Sequence, residues 1–299
     1  VSSAWGALTI NLDYTNFGSS GAWGSLHNDA WDGSTSDATK QSAAEAVIQA
    51  AADYWETAFS ASTRNITQTI DVSWSGYGGN TLASASMSWS GSPDYNISNG
   101  TLAWDNDGSS SFFVDLTPSD NSEWTESTFR SADLGGGSVN VERVFYNAPT
   151  SGAAFLHNDL LSVAIHEIAH TLGFVDGYPR LTALDEGGKL ALSDGTEIDY
   201  GGGHHTYTLG DPDPGNFPAD FWSIGSGTYY PTSMGPFIYT GTRKLLSEVD
   251  IKTVADIQAL NNVNTNPLIP EPEPALVLLF SIGIALIFRR RSDRTVKGV

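Results

Sequence analysis

One segment limits what this chain can become more than any other: residues 159–172, DLLSVAIHEIAHTL. Leu160, Leu161, Ala164, Ile165, Ile168 and Leu172 recur along it at helical spacing, which predicts a helix buried over most of its surface. Asn158 or Asp159 can cap its start, because a short side-chain oxygen there accepts from the free amides of the first turn. Within this apolar run stand His166, Glu167 and His170. His166 and His170 are four residues apart, so their rings share one face and can grip one cation together. Glu167 projects on the next spoke, placed to reach a water beside that cation rather than the cation itself. Burying two imidazoles and a carboxylate with no ion is costly, so the pattern predicts a metal centre on a buried helix.

His-Glu-x-x-His on a helix is the arrangement of zinc peptidases. Neutral imidazoles bind Zn2+, zinc lowers the pKa of a water molecule, and a carboxylate at Glu167 can act as general base in hydrolysis of a peptide bond. The run continues past the second histidine as Thr171-Leu172-Gly173-Phe174-Val175-Asp176. HEIAHTLGFVD resembles the metzincin signature His-Glu-x-x-His-x-x-Gly-x-x-His/Asp. In that family the glycine ends the helix in a left-handed turn, and the residue three further on is the third ligand. The resemblance implies Asp176 as that ligand. Related peptidases that carry an insertion take their third histidine from further along, which makes His204 or His205, after Gly201-Gly202-Gly203, the alternative. Asp220 is a weaker candidate.

Metzincins also have a Met-containing turn below the metal. Met234, in Pro231-Thr232-Ser233-Met234-Gly235-Pro236, fits that role, and the surrounding Gly and Pro favour a tight turn. Tyr229, Tyr230 and Tyr239 are candidates to approach the ion. His27 and His157 read as ordinary surface or capping residues. The resemblance spans the order of elements over about residues 5–262, and 166–176 is its specific motif. It implies an α+β, metzincin-like zincin fold: a twisted mixed sheet with an active-site helix, a smaller irregular C-terminal subdomain, and a C-terminal hydrophobic helix.

The rest of the chain fits that order. Residues 7–13, 66–75, 81–89, 111–116 and 138–146 are predicted strands, most of them alternating apolar and polar. Residues 41–59 predict a helix whose apolar face is Ala44, Val47, Ile48, Ala51, Tyr54 and Trp55. Ser247 with Asp250 predicts a reciprocal N-cap for a helix running to about Leu260. Asp105-Asn106-Asp107-Gly108 starts like an EF-hand loop, but its twelfth position is Leu116, so Ca2+ is a second candidate ion without a full motif. The absence of Cys excludes a thiolate site, a disulfide and a Cys nucleophile.

The C-terminal stretch is of a different kind. Pro270-Glu271-Pro272-Glu273-Pro274 leads into residues 275–288, fourteen residues without a charge, and then Arg289-Arg290-Arg291. As a helix the uncharged run is about 21 Å long, short of a hydrocarbon core, yet a terminal apolar run ending in a basic cluster reads as membrane-inserted. The three parts in this order resemble the PEP-CTERM sorting signal of Gram-negative bacteria, which implies export, recognition by an exosortase and a transient inner-membrane anchor. The expected organisation is a catalytic domain over 1–265, with an N-terminal part to about 175 and a C-terminal part from about 176, followed by linker, helix and basic tail over 266–299. Residues 1–288 carry nine cations against 33 acids, a net charge of −24, which disfavours nucleic acid as a partner.

Two functions compete on these grounds. One is an exported zinc endopeptidase of the cell envelope or exterior, acting on protein or peptide substrates. The other is a non-enzymatic surface or matrix protein, glycan-binding, with a structural or relic metal site. Glu167 favours the first, since a structural site has no use for a general base.

Overall fold

The computed structural model describes residues 7–18, 21–146, 152–200, 205–207, 232–235 and 238–267. In chain order the elements are β1 (Leu8–Asp13), β2 (Leu26–His27), α1 (Asp37–Ala58), β3 (Ile66–Ser75), β4 (Ala83–Trp89), β5 (Ile97–Asp105), β6 (Phe112–Phe113), β7 (Glu126–Asp133), β8 (Ser138–Tyr146), α2 (Ala153–Leu156), β9 (Asn158–Asp159), α3 (Leu160–Thr171), α4 (Pro179–Thr182), β10 (Lys189–Ala191), β11 (Glu197–Tyr200), β12 (Thr206–Tyr207), β13 (Thr242–Lys244) and α5 (Glu248–Gln258). The class is α+β, as expected. Residues 1–269 form one unit and 270–299 a second. Among the described residues no helix is long and apolar enough to cross a membrane, and the segment 275–288 lies outside them.

The main sheet is mixed, with strand order β1-β3-β5-β4. β1, β3 and β5 run parallel, and β4 pairs antiparallel to β5 at the edge. Parallel β1 and β3 need a crossover, and α1 supplies it. In β3 the alternation turns Ile66, Ile70, Val72 and Trp74 into the core. Gln68 shares that face and is also buried. It stays there because its amide donates to the Thr171 carbonyl at 2.6 Å while its oxygen accepts from the Thr171 hydroxyl at 3.2 Å.

α1 begins four residues before the predicted 41–59 span, because Ser36 caps it by accepting from the Thr39 amide. Its predicted apolar face is buried as expected. Trp55 on that face donates from Nε1 to the Ile165 carbonyl at 3.0 Å, which joins α1 to α3. The predicted strand over 111–116 contracts to β6, two residues held between β2 and β9. A second sheet, ordered β13-β8-β7, and a third, β10-β11-β12, lie outside the main one.

α5 starts with the predicted capping box: the Ser247 side chain accepts from the Asp250 amide, and the Asp250 carboxylate accepts from the Ser247 amide. At its other end, Gln258 donates to the Leu172 carbonyl at 2.8 Å. α5 is thereby fastened to the end of α3.

Candidate metal centre

α3 is buried along its whole length, His166, Glu167 and His170 included. Two features keep so polar a helix inside. At its start Asp159 is the N-cap, with Oδ2 accepting from the Ser162 amide at 3.0 Å and the Ser162 hydroxyl at 2.6 Å. The same carboxylate receives a two-pronged contact from Arg243, Nε to Oδ2 at 3.1 Å and Nη2 to Oδ1 at 2.9 Å. Arg243 also pairs with Asp115 at 2.7 Å and lies over the Trp124 ring. A buried charge needs this degree of pairing to persist.

At its end α3 closes in a Schellman turn. The Phe174 amide reaches back to the Ala169 carbonyl and the Gly173 amide to the His170 carbonyl, both at 3.1 Å. Gly173 has φ 115°, a conformation L side chains rarely adopt. A Cβ there would also stand 2.6 Å from Ile257 and 2.8 Å from Gln258, both on α5. The glycine of the motif is thus required twice, by the turn and by the helix packed on it.

The turn sets the histidines. The carbonyl of Phe174 faces His170 Nδ1 at 2.6 Å, and the carbonyl of Ser233 faces His166 Nδ1 at 2.7 Å. A carbonyl only accepts, so each ring carries its proton on Nδ1 and presents a bare Nε2 lone pair. These two Nε2 atoms lie 3.1 Å apart. Two lone pairs facing at that distance repel unless a cation sits with them, so the donor set fits a metal. Burial first, then the neighbouring His170 and His205, hold the His166 pKa well below the ordinary imidazole value, which keeps the ring neutral and able to ligate.

His205 completes the group: ligand atoms of His166, His170 and His205 all lie within 4.8 Å of one another. It arrives from the β11–β12 hairpin, where Asp199 pairs with Tyr207 and Tyr200 with Thr206. Its ring centroid is 5.3 Å from that of His166 and 5.6 Å from that of His170. Asp176 is not in this group. It is exposed and lines the same cavity. His204, Asp220, Tyr229 and Tyr230 lie outside the described residues, and Tyr239 lines the cavity.

Met234 is fully buried in the turn over 232–235. That turn is held from α5: Asp250 accepts from the Ser233 amide at 3.1 Å and the Met234 amide at 3.2 Å. The capping residue therefore has a second task. It fixes the peptide whose carbonyl orients His166. The sequence shows the first task through its spacing from Ser247, and it shows no local sign of the second. β13 adds to this support. The Lys244 amide donates to the Ser162 hydroxyl at 2.8 Å, and its buried ammonium points to the Thr232 carbonyl at 3.5 Å.

Glu167 faces a cavity of about 1040 Å3 shared with His166, His170, His205 and the edge strand residues Ala83 to Ala85. Burial pushes its carboxyl up to about 8, and a dication beside it acts in the opposite direction. His157 is the C-cap of α2, in keeping with the capping expectation, and His27 lies in β2. They stack face to face, 3.8 Å between centroids and 8° between planes, half-buried, with His157 Nδ1 2.8 Å from the Ser111 hydroxyl. The loop Asp105–Ser109 closes on itself, with Asp105 accepting from Tyr77, Asp107 and Ser109. Among the described residues only the three-histidine group meets the geometry of a metal site. Comparison with protein-family models, characterised proteins and solved structures finds no match to this chain.

Proposed function

We propose that this protein is an exported zinc endopeptidase of metzincin-like design. The observation that carries the reading is Glu167: a buried carboxyl beside three converging imidazoles, open to a cavity, is what hydrolysis needs and a structural metal site does not. His166, His170 and His205 would hold the ion, with His205 in the place the sequence motif offered to Asp176. Zinc there would supply a Lewis acid that polarises the scissile carbonyl and lowers the pKa of water.

The remaining chemistry belongs to the chain. Glu167 accepts a proton from water as the carbonyl is attacked and delivers it to the leaving amine. Burial raises its proton affinity and the ion would oppose that rise, so one carboxyl can take the proton up and give it back. β4 is the edge of the main sheet and borders the cavity, so an extended peptide can pair with it antiparallel and bring its backbone to Glu167. Asp250, through the turn over 232–235, and Phe174 hold the two ring orientations.

Export rests on the order Pro-Glu-Pro, uncharged run and triple arginine in 270–291, which fits recognition by an exosortase and a transient inner-membrane anchor in a Gram-negative cell envelope. The test uses one purified sample: zinc by elemental analysis, and casein cleavage with and without a chelator. About one zinc per chain with chelator-sensitive cleavage is expected. Zinc without any cleavage would return the glycan-binding or other non-enzymatic reading.

A further inference from the structure

We infer that the cleft is built to take cationic peptide segments, with Asp176 as the carboxylate that selects them. This rests on the endopeptidase reading above and names its substrate class.

Three observations point the same way. Asp176 lines the cavity, is exposed, and stands outside the three-histidine group, so its charge is free to act on a ligand. Among the described residues no Lys or Arg forms an ion pair with it. Nor is any described residue lining the cavity a Lys or Arg; apart from the histidines, the charged groups there are Glu167 and Asp176.

Between Lys189 and Arg243 the chain has no Lys or Arg, and it has six acids: Asp194, Glu197, Asp199, Asp211, Asp213 and Asp220. Arg180, the cation nearest Asp176 in sequence, donates to the Asp94 carbonyl, and the cations that bound the acidic stretch are committed elsewhere too. Arg243 and Lys244 are buried behind α3, and Lys189 pairs with Glu197 at 3.0 Å. The field of Asp176 is felt at Tyr200, whose phenol is pushed up to about 12 by burial and then by Asp176 and Asp185.

Away from the ion, the described side chains that line this cavity are acidic or neutral, and a concave site with low-dielectric walls concentrates the opposite charge. A peptide lying along β4 brings successive side chains past this mouth. A lysine or arginine beside the scissile bond meets Asp176 as its partner. A glutamate there meets repulsion from Asp176 and no described Lys or Arg in the lining. Acidic segments are therefore refused by what the cleft lacks as much as by what it holds.

The test uses the zinc-loaded full chain and three matched quenched peptide sets, with the residues flanking the central bond set to Lys, Gln or Glu. At low salt kcat/KM should fall by about tenfold from the Lys to the Gln set and further to the Glu set. Salt should compress the series, since exposed charges are screened within about 10 Å at 0.1 M. Asp176→Asn should narrow the Lys-to-Gln ratio towards one while zinc stays at one per chain. Equal cleavage of the three sets by the native chain would overturn the inference and leave the endopeptidase standing. Loss of zinc in Asp176→Asn would also overturn it, by making Asp176 a ligand. Failure to cleave any peptide or casein would remove the endopeptidase reading, and this inference with it.

Discussion

Among the described residues, two pairs of close histidines are built on opposite plans. His166 and His170 meet edge to face, 89° between planes, each pinned through Nδ1 by a backbone carbonyl. His27 and His157 lie flat against one another, 8° apart, and their one described polar anchor is the Ser111 hydroxyl. Proximity is common to both. What differs is where the lone pairs go: fixed carbonyls drive both Nε2 atoms of the first pair to one point. A hydroxyl can donate or accept, so it leaves the tautomer of the second pair open. A metal site is thus recognised by what stands behind the rings rather than by the rings.

The largest expected effect divides the pairs outright. His170→Ala should abolish zinc binding and casein cleavage, whereas His157→Ala should keep one zinc per chain, read by elemental analysis. A zinc-free His157→Ala protein that still melts cooperatively would break the distinction. Glu167→Gln should lower the cleavage rate by about 10^2–10^4-fold with metal content unchanged. Cleavage at the native rate would sink the general-base role.

The supporting carbonyl can be tested directly. Asp250→Asn weakens the hold on the Ser233 peptide and should lower zinc affinity by about 10–100-fold, measured by competition with a chelating dye. An unaltered affinity would mean that the ring needs no such backing. Gly173→Ala puts a Cβ into α5 at a left-handed φ and should cost about 2–5 kcal/mol in denaturant unfolding, combining strain with overpacking.

The smallest effect belongs to the stacked pair. Burial, then His27, lowers His157 to about 4, and burial, then Lys40, lowers His27. Asp29 opposes the shift at His157. The unfolded rings titrate near 6.5, so the unfolded chain takes up protons first as pH falls. Stability is then full above about pH 6.5 and declines towards pH 4. Both rings are substantially exposed, so after solvent screening the loss is about 1 kcal/mol. His157→Asn should flatten that slope relative to the native chain in thermal melts.

The sequence makes one level of this design visible and hides another. His166, Glu167 and His170 are readable because helical spacing is local, and so are the Asp159 cap and the Ser247–Asp250 box. β3 and β8 occupy their predicted spans to the residue, β8 with one break in its alternation at Val141 and Glu142. β5 escapes notice because Asn99 and Gly100 interrupt its pattern; Gly100 is small for a reason of packing, with Thr171 3.0 Å from where its Cβ would be. β7 is polar and leaves Phe129 exposed, so it lacks an apolar rhythm. The meeting of His205 with α3 depends on a hairpin that no nearby pattern announces. Carbonyls have no letter in a sequence at all, and they carry the orientation of both rings.

The route by which α3 is neutralised also sets a timetable. Arg243 lies 84 residues beyond the carboxylate it covers at Asp159, and the peptide that holds His166 comes 67 residues after it. At about 5–20 residues per second, synthesis leaves the helix without its partners for roughly 4–17 seconds. During that interval His166 and His170 can meet an ion with neither the turn nor Asp250 in place. The stretch over 232–250 therefore completes the site, and a nascent product ending before it has neither the carbonyl behind His166 nor the Arg243 pair.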